Sequence, residues 1–281
     1  MPVLVLTAAA GVPDAVAEAA EAALGAAHHR LAASAIEIGY EGELPAGLVF
    51  EGCDLNVVPA EGRRKRLLIA DMDSTIIGVE CIDELADFAG LKTEVAAITD
   101  RAMRGEMDFE AALLARVALL AGLPASVLEE CYAERVRLNP GALVLVRTMA
   151  AHRAETALVS GGFTFFSERV AAAAGFAHHQ ANVLEVSQGV LTGEVARPIL
   201  GREAKLAALE RIAAQAGLGP EAVLAVGDGA NDADMVGAAG LGVAYRPKPA
   251  LAAVADATLR QSNLTALLAL QGIPEAEWWA D

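Results

Sequence analysis

Short apolar runs separated by polar turns open the chain. Val3 to Thr7 has the run and length of a strand, Pro13 to Ala27 is an alanine-rich helical stretch, and Ala33 to Gly39 and Leu48 to Glu51 read as two further short strands. Together they predict a small N-terminal α+β module over residues 1–62. Its end is marked by the turn-prone Pro59-Ala60-Glu61-Gly62 and then by Arg63-Arg64-Lys65-Arg66, a charged stretch that suits a solvated surface linker.

Over residues 63–281 the pattern changes. Three apolar runs stop abruptly at acidic or small polar residues: Leu67 to Ala70 before Asp71, Ala157 to Val159 before Ser160, and Val223 to Val226 before Gly227-Asp228. Continuous runs of that length suit strands buried on both faces, and the Ala/Leu-rich segments between them suit crossover helices. The expected fold class is α/β, an open parallel Rossmann-like sheet. About 85 residues separate the first of these strands from the second, too many for one crossover helix, and Val79 to Val136 reads almost wholly as helix. A helical cap inserted at about residues 78–138 is therefore expected, placed to close over the strand ends and exclude water. Ligands of open parallel sheets bind beyond the carboxyl ends of the strands, where all three polar clusters fall.

Composition narrows the partners. The chain is 55% hydrophobic but only 4% aromatic, which describes a globular protein with an aliphatic core. Its formal net charge of −16 repels polyanions, so neither nucleic acid nor an anionic membrane is expected as a partner. An anionic substrate would need local cations or a bound metal to overturn that field. The cysteines, Cys53, Cys81 and Cys131, form no Cys-x-x-Cys pattern, no apolar run reaches the roughly 18 residues of a membrane span, and no basic segment precedes the apolar start. These features lead us to expect a cytoplasmic protein with reduced thiols.

Each polar cluster has a bland reading and a chemical one. Asp71-Met72-Asp73-Ser74-Thr75 puts two carboxylates two residues apart at a strand end; alone it is an acidic turn, and Thr75 and Ile76 break the pattern of a calcium loop. Gly227-Asp228-Gly229-Ala230-Asn231-Asp232 adds two more carboxylates after another buried strand, and alone it is an ordinary Gly/Asn/Asp turn. Brought together, four carboxylates supply hard oxygen ligands with too much negative charge to coexist without a cation, for which Mg²⁺ is the natural choice. Ser160-Gly161-Gly162 offers a hydroxyl and unencumbered N–H groups to phosphate oxygens. As a hydrolase nucleophile Ser160 would require glycine at position 158, where Leu158 stands. Lys205, early in a helix predicted over Glu203 to Ala213, could supply a point charge, although most helical lysines are merely solvated.

In this order, from about Arg66 to Leu259, the four elements resemble the haloacid dehalogenase superfamily of phosphohydrolases. Within the cap, Gly78-Val79-Glu80-Cys81-Ile82-Asp83-Glu84-Leu85-Ala86 and the stretch from Arg104-Gly105-Glu106-Met107-Asp108-Phe109-Glu110 through Gly122-Leu123-Pro124 are similar to its phosphoserine phosphatases. The resemblance implies a nucleophile at Asp71 and a general acid, then base, at Asp73. It implies Mg²⁺ held by Asp71, the main-chain carbonyl of Asp73, Asp228 and Asp232, with Ser160, Gly161, Lys205 and Asn231 positioning the phosphoryl group. Glu80 and Arg116 would then recognise the ammonium and carboxylate of phosphoserine. The residues themselves leave Arg116 open. It lies seven residues after Phe109 and three after Leu113, within an apolar stripe, but Val117 could complete that stripe and leave Arg116 at its edge.

The implied reaction is Mg²⁺-dependent hydrolysis of O-phospho-L-serine to serine and phosphate through an aspartyl-phosphate, the last step of serine biosynthesis. Three rivals stay open: phosphotransfer from phosphoserine to another alcohol such as homoserine, hydrolysis of other small phosphomonoesters with Glu80 and Arg116 incidental, and a phospho-accepting switch module that needs neither the acid/base at Asp73 nor a cap. The N-terminal module resembles amino-acid-binding regulatory modules only loosely and at shortened length; a structural or a dimerising role, and with the latter a homodimer, is at least as compatible with its sequence.

Overall fold

The computed structural model describes residues 1–103 and 106–280; Arg104 and Gly105, within one of the stretches quoted above, and Asp281 lie outside the described residues. The N-terminal segment folds as β1 (Pro2–Thr7), α1 (Asp14–Leu24), β2 (His29–Ala32), β3 (Ala35–Gly39) and β4 (Asp54–Pro59). Its strands make an antiparallel sheet in the order β2-β3-β1-β4. Alternation along β1 divides its contacts: Leu4 and Leu6 pack with Ala17 and Ala20 of α1, whereas Val3 and Val5 face the other way, into the largest apolar core of the chain.

Two expectations for this region are corrected. Leu48 to Glu51 is not a strand. Turns at Gly47 and Gly52, each with φ of 75°, bracket it, and Leu48 and Phe50 rest against the N-terminal core. The strand comes later, as β4, and was hidden because polar residues occupy two of its three inward positions, Asp54 and Asn56 beside Val58. Second, the basic run is not a solvated linker. Arg63 pairs with Glu37, Arg64 makes two hydrogen bonds to Glu277 at 2.9 and 3.0 Å, and buried Lys65 donates to the main-chain oxygens of Gly62 and Glu221 at 2.9 and 2.8 Å.

The main sheet contains β5 (Leu67–Ala70), β6 (Glu155–Phe163) and β7 (His178–Asn182), followed by a hairpin of β8 (Leu184–Ser187) and β9 (Val190–Val195), and then β10 (Val223–Gly227), β11 (Leu241–Tyr245) and β12 (Ala257–Leu259). Apart from the hairpin these strands pair in parallel, in the order β12-β11-β10-β5-β6-β7. The chain leaves β5 in one direction and returns on its other side at β10, so the ends of β5 and β10 flank the point where the strand order reverses.

Between β5 and β6 lie the cap helices α2 (Cys81–Phe88), α3 (Lys92–Met103), α4 (Phe109–Ala118) and α5 (Ser126–Arg135). The base of the cap is tied: Ile77 bridges Leu138, Gly78 N–H donates to Arg137, and Asn139 donates from its main chain to Ile76 and from Nδ2 to Thr75. The hairpin, absent from the sequence reading, packs against α4, and Leu191 pairs with Gly122 and Leu123. Helices α6 (Ala142–Ala151), α7 (Thr164–Ala174), α8 (Arg202–Gln215), α9 (Ala233–Ala238), α10 (Pro249–Ala252) and α11 (Ala266–Leu270) follow in chain order. Leu67 and Ile69 face α8 and α9, while Leu68 and Ala70 face α6, α7 and α11, and all four are fully buried. Burial on both faces is what makes this strand a continuous apolar run.

The N-terminal sheet is fastened to the main one by the polar residues that hid β4. Asn56 exchanges two hydrogen bonds with the main chain of Thr258, at 3.0 and 2.8 Å. The buried Asp54 carboxylate accepts the N–H groups of Arg260, Gln261 and Ser262 at 2.8–3.1 Å, and Thr7 meets Ser262 at 2.6 Å. Asp54→Ala would remove the acceptor of three N–H groups, that of Ser262 buried, and we expect it to lower unfolding free energy by about 2–4 kcal/mol in a denaturant titration. A loss within error of zero would mean that water replaces the carboxylate.

Candidate active site

The acidic turn after β5 stops behaving as a strand at once. Asp71 is still extended, and its N–H pairs with Val226 of β10 at 3.0 Å, but its carboxylate folds back to accept Met72 N–H at 2.8 Å. Asp73 is extended, Ser74 sits at φ 55°, and Ile77 N–H closes the loop on Met72 at 3.0 Å. The two carboxylates thereby reach different neighbours. Asp73 accepts Cys81 N–H, at the start of α2, at 3.1 Å and the Ser160 hydroxyl at 3.3 Å. Gly162 lies so close that a Cβ there would fall 2.7 Å from Asp73 Oδ2 and 3.0 Å from Ser160 Oγ. That close approach is the physical need for glycine after Ser160.

Lys205, in the first turns of α8, is not solvated. Its side chain is 3% exposed, and Nζ lies 2.6 Å from both Asp71 Oδ1 and Asp232 Oδ1. Asp232 is fully buried, and its other oxygen accepts the N–H groups of Asp228 and Gly229 at 3.2 and 3.0 Å. Burial pushes the Asp71 carboxyl well above its ordinary range, Asp232 adds to that, and Lys205 opposes it. Burial alone would lower the Lys205 ammonium, but attraction to Asp71 and Asp232 outweighs it and holds the proton on nitrogen. Asp73 is raised to about 7, first by burial and then by the Glu80 carboxylate.

Asp71, Asp73, Glu80, Arg116, Ser160, Gly161, Asn231 and Asp228 line one cavity of about 190 Å³. Lys205 and Asp232 stand behind its wall. The cap thus supplies Glu80 and Arg116, and the sheet edge supplies the rest. Both readings of Arg116 prove compatible: Leu113, Val117 and Leu120 are buried in the stripe, while Arg116 reaches the cavity, where burial lowers its basicity against the pull of Asp83, Glu80 and Asp73. Phe109 is not part of the buried stripe. It is partly exposed at the start of α4, on the cavity wall, and a Cβ on Gly161 would fall 3.0 Å from its ring.

Two residues beside the cavity, Ser74 and Lys248, were given no role in the sequence reading, and a third, Gly162, was read incompletely. Ser74 donates to Glu80 at 2.8 Å and so fixes that carboxylate. Gly162 was read only for its N–H, yet it matters because any side chain would displace Asp73. Lys248 lies on the cavity wall with Nζ 3.3 Å from Asp228 Oδ2. Its position just beyond β11, at the same carboxyl edge, was the available signal.

A divalent cation fits this donor set. Asp71, Asp228 and Asp232 are all buried and can present ligand oxygens within 4.8 Å of one another. Three carboxylates face two ammonium groups, and burial also raises the Asp228 carboxyl, although Lys248 pulls it back. An oxygen-only set with surplus negative charge is what a hard cation takes. Among the described residues no helix is long and apolar enough to cross a membrane.

Residues 68–236 match the haloacid dehalogenase-like hydrolase family. A phosphoserine phosphatase, SerB2, of Mycobacterium tuberculosis is 47% identical over 215 residues, covering 76% of this chain and 52% of that protein. The chain therefore spans about half the length of that relative. A phosphoserine phosphatase of Polaromonas sp. is 46% identical over 210 residues, covering 73% of this chain and 89% of that protein. The structure of a probable phosphoserine phosphatase from Vibrio cholerae, in unliganded form, superposes with a TM-score of 0.80 at 32% identity, covering 98% of this chain and 88% of that one.

Removing the buried ammonium leaves Asp71 and Asp232 uncompensated. In chelator-treated protein we expect Lys205→Met to lower unfolding free energy by about 3–5 kcal/mol at neutral pH. Because the folded-state pKa of Asp71 lies above its unfolded value, this deficit should grow as pH rises and shrink as protonation neutralises the carboxylate. A loss below about 1 kcal/mol, or the opposite pH trend, would contradict the clamp.

Proposed function

The chain belongs to the haloacid dehalogenase-like hydrolases, and from that premise we propose that it hydrolyses O-phospho-L-serine to serine and phosphate, closing serine biosynthesis. One observation carries the substrate: a single cavity joins the Asp71/Asp73 loop to Glu80 and Arg116 of the cap. Phosphoserine has an ammonium, a carboxylate and a phosphate, and the wall offers an anion held by Ser74, a guanidinium, and the Ser160-Gly161 turn with Asn231. The names of the relatives above support the same reading.

In this mechanism the Asp71 carboxylate attacks phosphorus as the ester P–O bond breaks, and the leaving serine oxygen takes the proton of Asp73. The aspartyl-phosphate is then hydrolysed: Asp73 removes a proton from water, whose oxygen attacks phosphorus and frees Asp71 and phosphate. A carboxyl raised to about 7 suits a group that must give and take a proton near neutrality. Ser160 and the cap N–H of Cys81 keep Asp73 aimed, and Lys205 keeps Asp71 aimed. Mg²⁺ would be held by Asp71, the main-chain carbonyl of Asp73 and Asp228, with Asp232 directly or through water, and would neutralise charge on the transferring phosphoryl group.

Phosphate release from L-phosphoserine, with and without Mg²⁺ and beside phosphothreonine and an aryl phosphate, tests the reading. Fast metal-dependent turnover favouring phosphoserine is expected; activity on the aryl phosphate alone would discard the substrate, and a new phosphoester formed with an added alcohol would turn the assignment to phosphotransfer. Asp71→Asn should lower turnover roughly a thousandfold or more with the melting curve preserved. Arg116→Ala should weaken phosphoserine by roughly 2–5 kcal/mol in kcat/KM and spare the aryl phosphate; equal losses for both would sink its role in reading the carboxylate.

A further inference from the structure

Asp228 is held differently from the other two carboxylates of its cluster. Asp71 and Asp232 share a buried ammonium, and Asp232 also accepts two main-chain N–H groups. The Asp228 carboxylate has one ion-pair partner among the described residues, Lys248, whose side chain is 64% exposed. The root of that side chain is fixed: Lys248 N–H donates to the main-chain oxygen of Asp228 at 2.9 Å, and Pro249 begins α10. Its ammonium therefore stays near Asp228, yet it can leave the carboxylate by side-chain rotation alone.

We propose that Lys248 is an exchangeable counter-ion for Asp228: it neutralises the carboxylate when no divalent cation is bound and yields it to one that enters. The inference rests on the reading of Asp71, Asp228 and Asp232 as a cation site. Lys205 cannot play this part, since it is enclosed and engaged by two carboxylates at once. Lys248 competes with the incoming cation for one oxygen ligand and repels it across a few ångströms, both of which oppose binding. Its exposure screens that repulsion, so the effect on affinity is moderate. Released from Asp228, the ammonium remains on the cavity wall as a positive group for an anionic ligand.

Calorimetric titration of Mg²⁺ into chelator-treated wild type, Lys248→Met and Lys248→Arg, at low and high ionic strength, tests this without reference to turnover. Methionine keeps the stem and removes the charge, and arginine restores it. Lys248→Met should bind Mg²⁺ roughly three- to tenfold more tightly than wild type, Lys248→Arg should bind within about twofold of wild type, and the gap should narrow at high salt. Equal or weaker binding by Lys248→Met, with wild type binding Mg²⁺, would overturn the counter-ion role while leaving the cation site intact. No binding by wild type would overturn both, by removing the site itself.

Discussion

Negative charge gathered at the carboxyl edge of one sheet is the constraint around which the rest is arranged. Asp71 and Asp228 stand at the ends of adjacent strands, and Asp232 closes the turn after Asp228, so the topology forces three carboxylates together. Buried anions so close are costly unless compensated. Lys205 meets part of the cost from within the fold, 2.6 Å from two of them. The main-chain N–H groups of Asp228 and Gly229 meet more of it at Asp232. What remains is an oxygen-rich, electron-dense corner whose charge is balanced only with help from outside the core. An overall charge of −16 sharpens the point, because the field of the whole chain repels an anionic ligand.

The cap adds charged side chains of its own to the same cavity, Glu80 and Arg116. It reaches the loop after β5 through Cys81 and Glu80. Cys81 N–H touches Asp73 directly, and Ser74, held at φ 55° in the loop, turns its hydroxyl to Glu80. The loop bearing the carboxylates thus also contacts the first residues of the cap directly. At the far wall Phe109 lies against Gly161, where a glycine leaves room for the ring. Arg116, seven residues on in α4, enters the same cavity from a helix whose neighbouring residues, Leu113 and Val117, are anchored in the core.

Much of this was legible in the chain, for a physical reason. Strands buried on both faces must be apolar throughout, and the carboxyl edge of a parallel sheet must turn polar where ligands sit, so Leu67 to Ala70 before Asp71 and Val223 to Val226 before Gly227-Asp228 announce themselves. Resemblance supplied the pairing of Glu80 and Arg116, which no periodicity could. The misreadings have causes as definite. β4 was missed because Asn56 meets the main chain of β12 and Asp54 the loop after it, instead of an apolar core, and polarity at inward positions imitates a turn. Arg63, Arg64 and Lys65 looked like a linker because a charged run gives no sign that its partners, Glu37, Glu277 and the main chain of Glu221, lie far away in sequence. Lys248 was overlooked because a lone lysine carries no pattern, although its place after β11 did.

The hidden strand also explains how the N-terminal sheet bears on a site it does not touch. Asp54 and Thr7 fix the loop at residues 260–262, and three residues later the same loop packs on Gly141, where a Cβ would fall 2.6 Å from the main-chain nitrogen of Thr265. Leu264 N–H donates to Pro140, and Asn139 beside it ties the base of the cap through Ile76 and Thr75. Those two residues end the loop that begins with Asp71 and Asp73. A continuous series of hydrogen bonds and one close packing contact, at Gly141, thus runs from the buried carboxylate of Asp54 to the base of the cap. Satisfied polar networks of this kind rigidify the segments they join. The N-terminal sheet is thus joined by contacts, through the loop at residues 260–265, to the residues at the base of the cap.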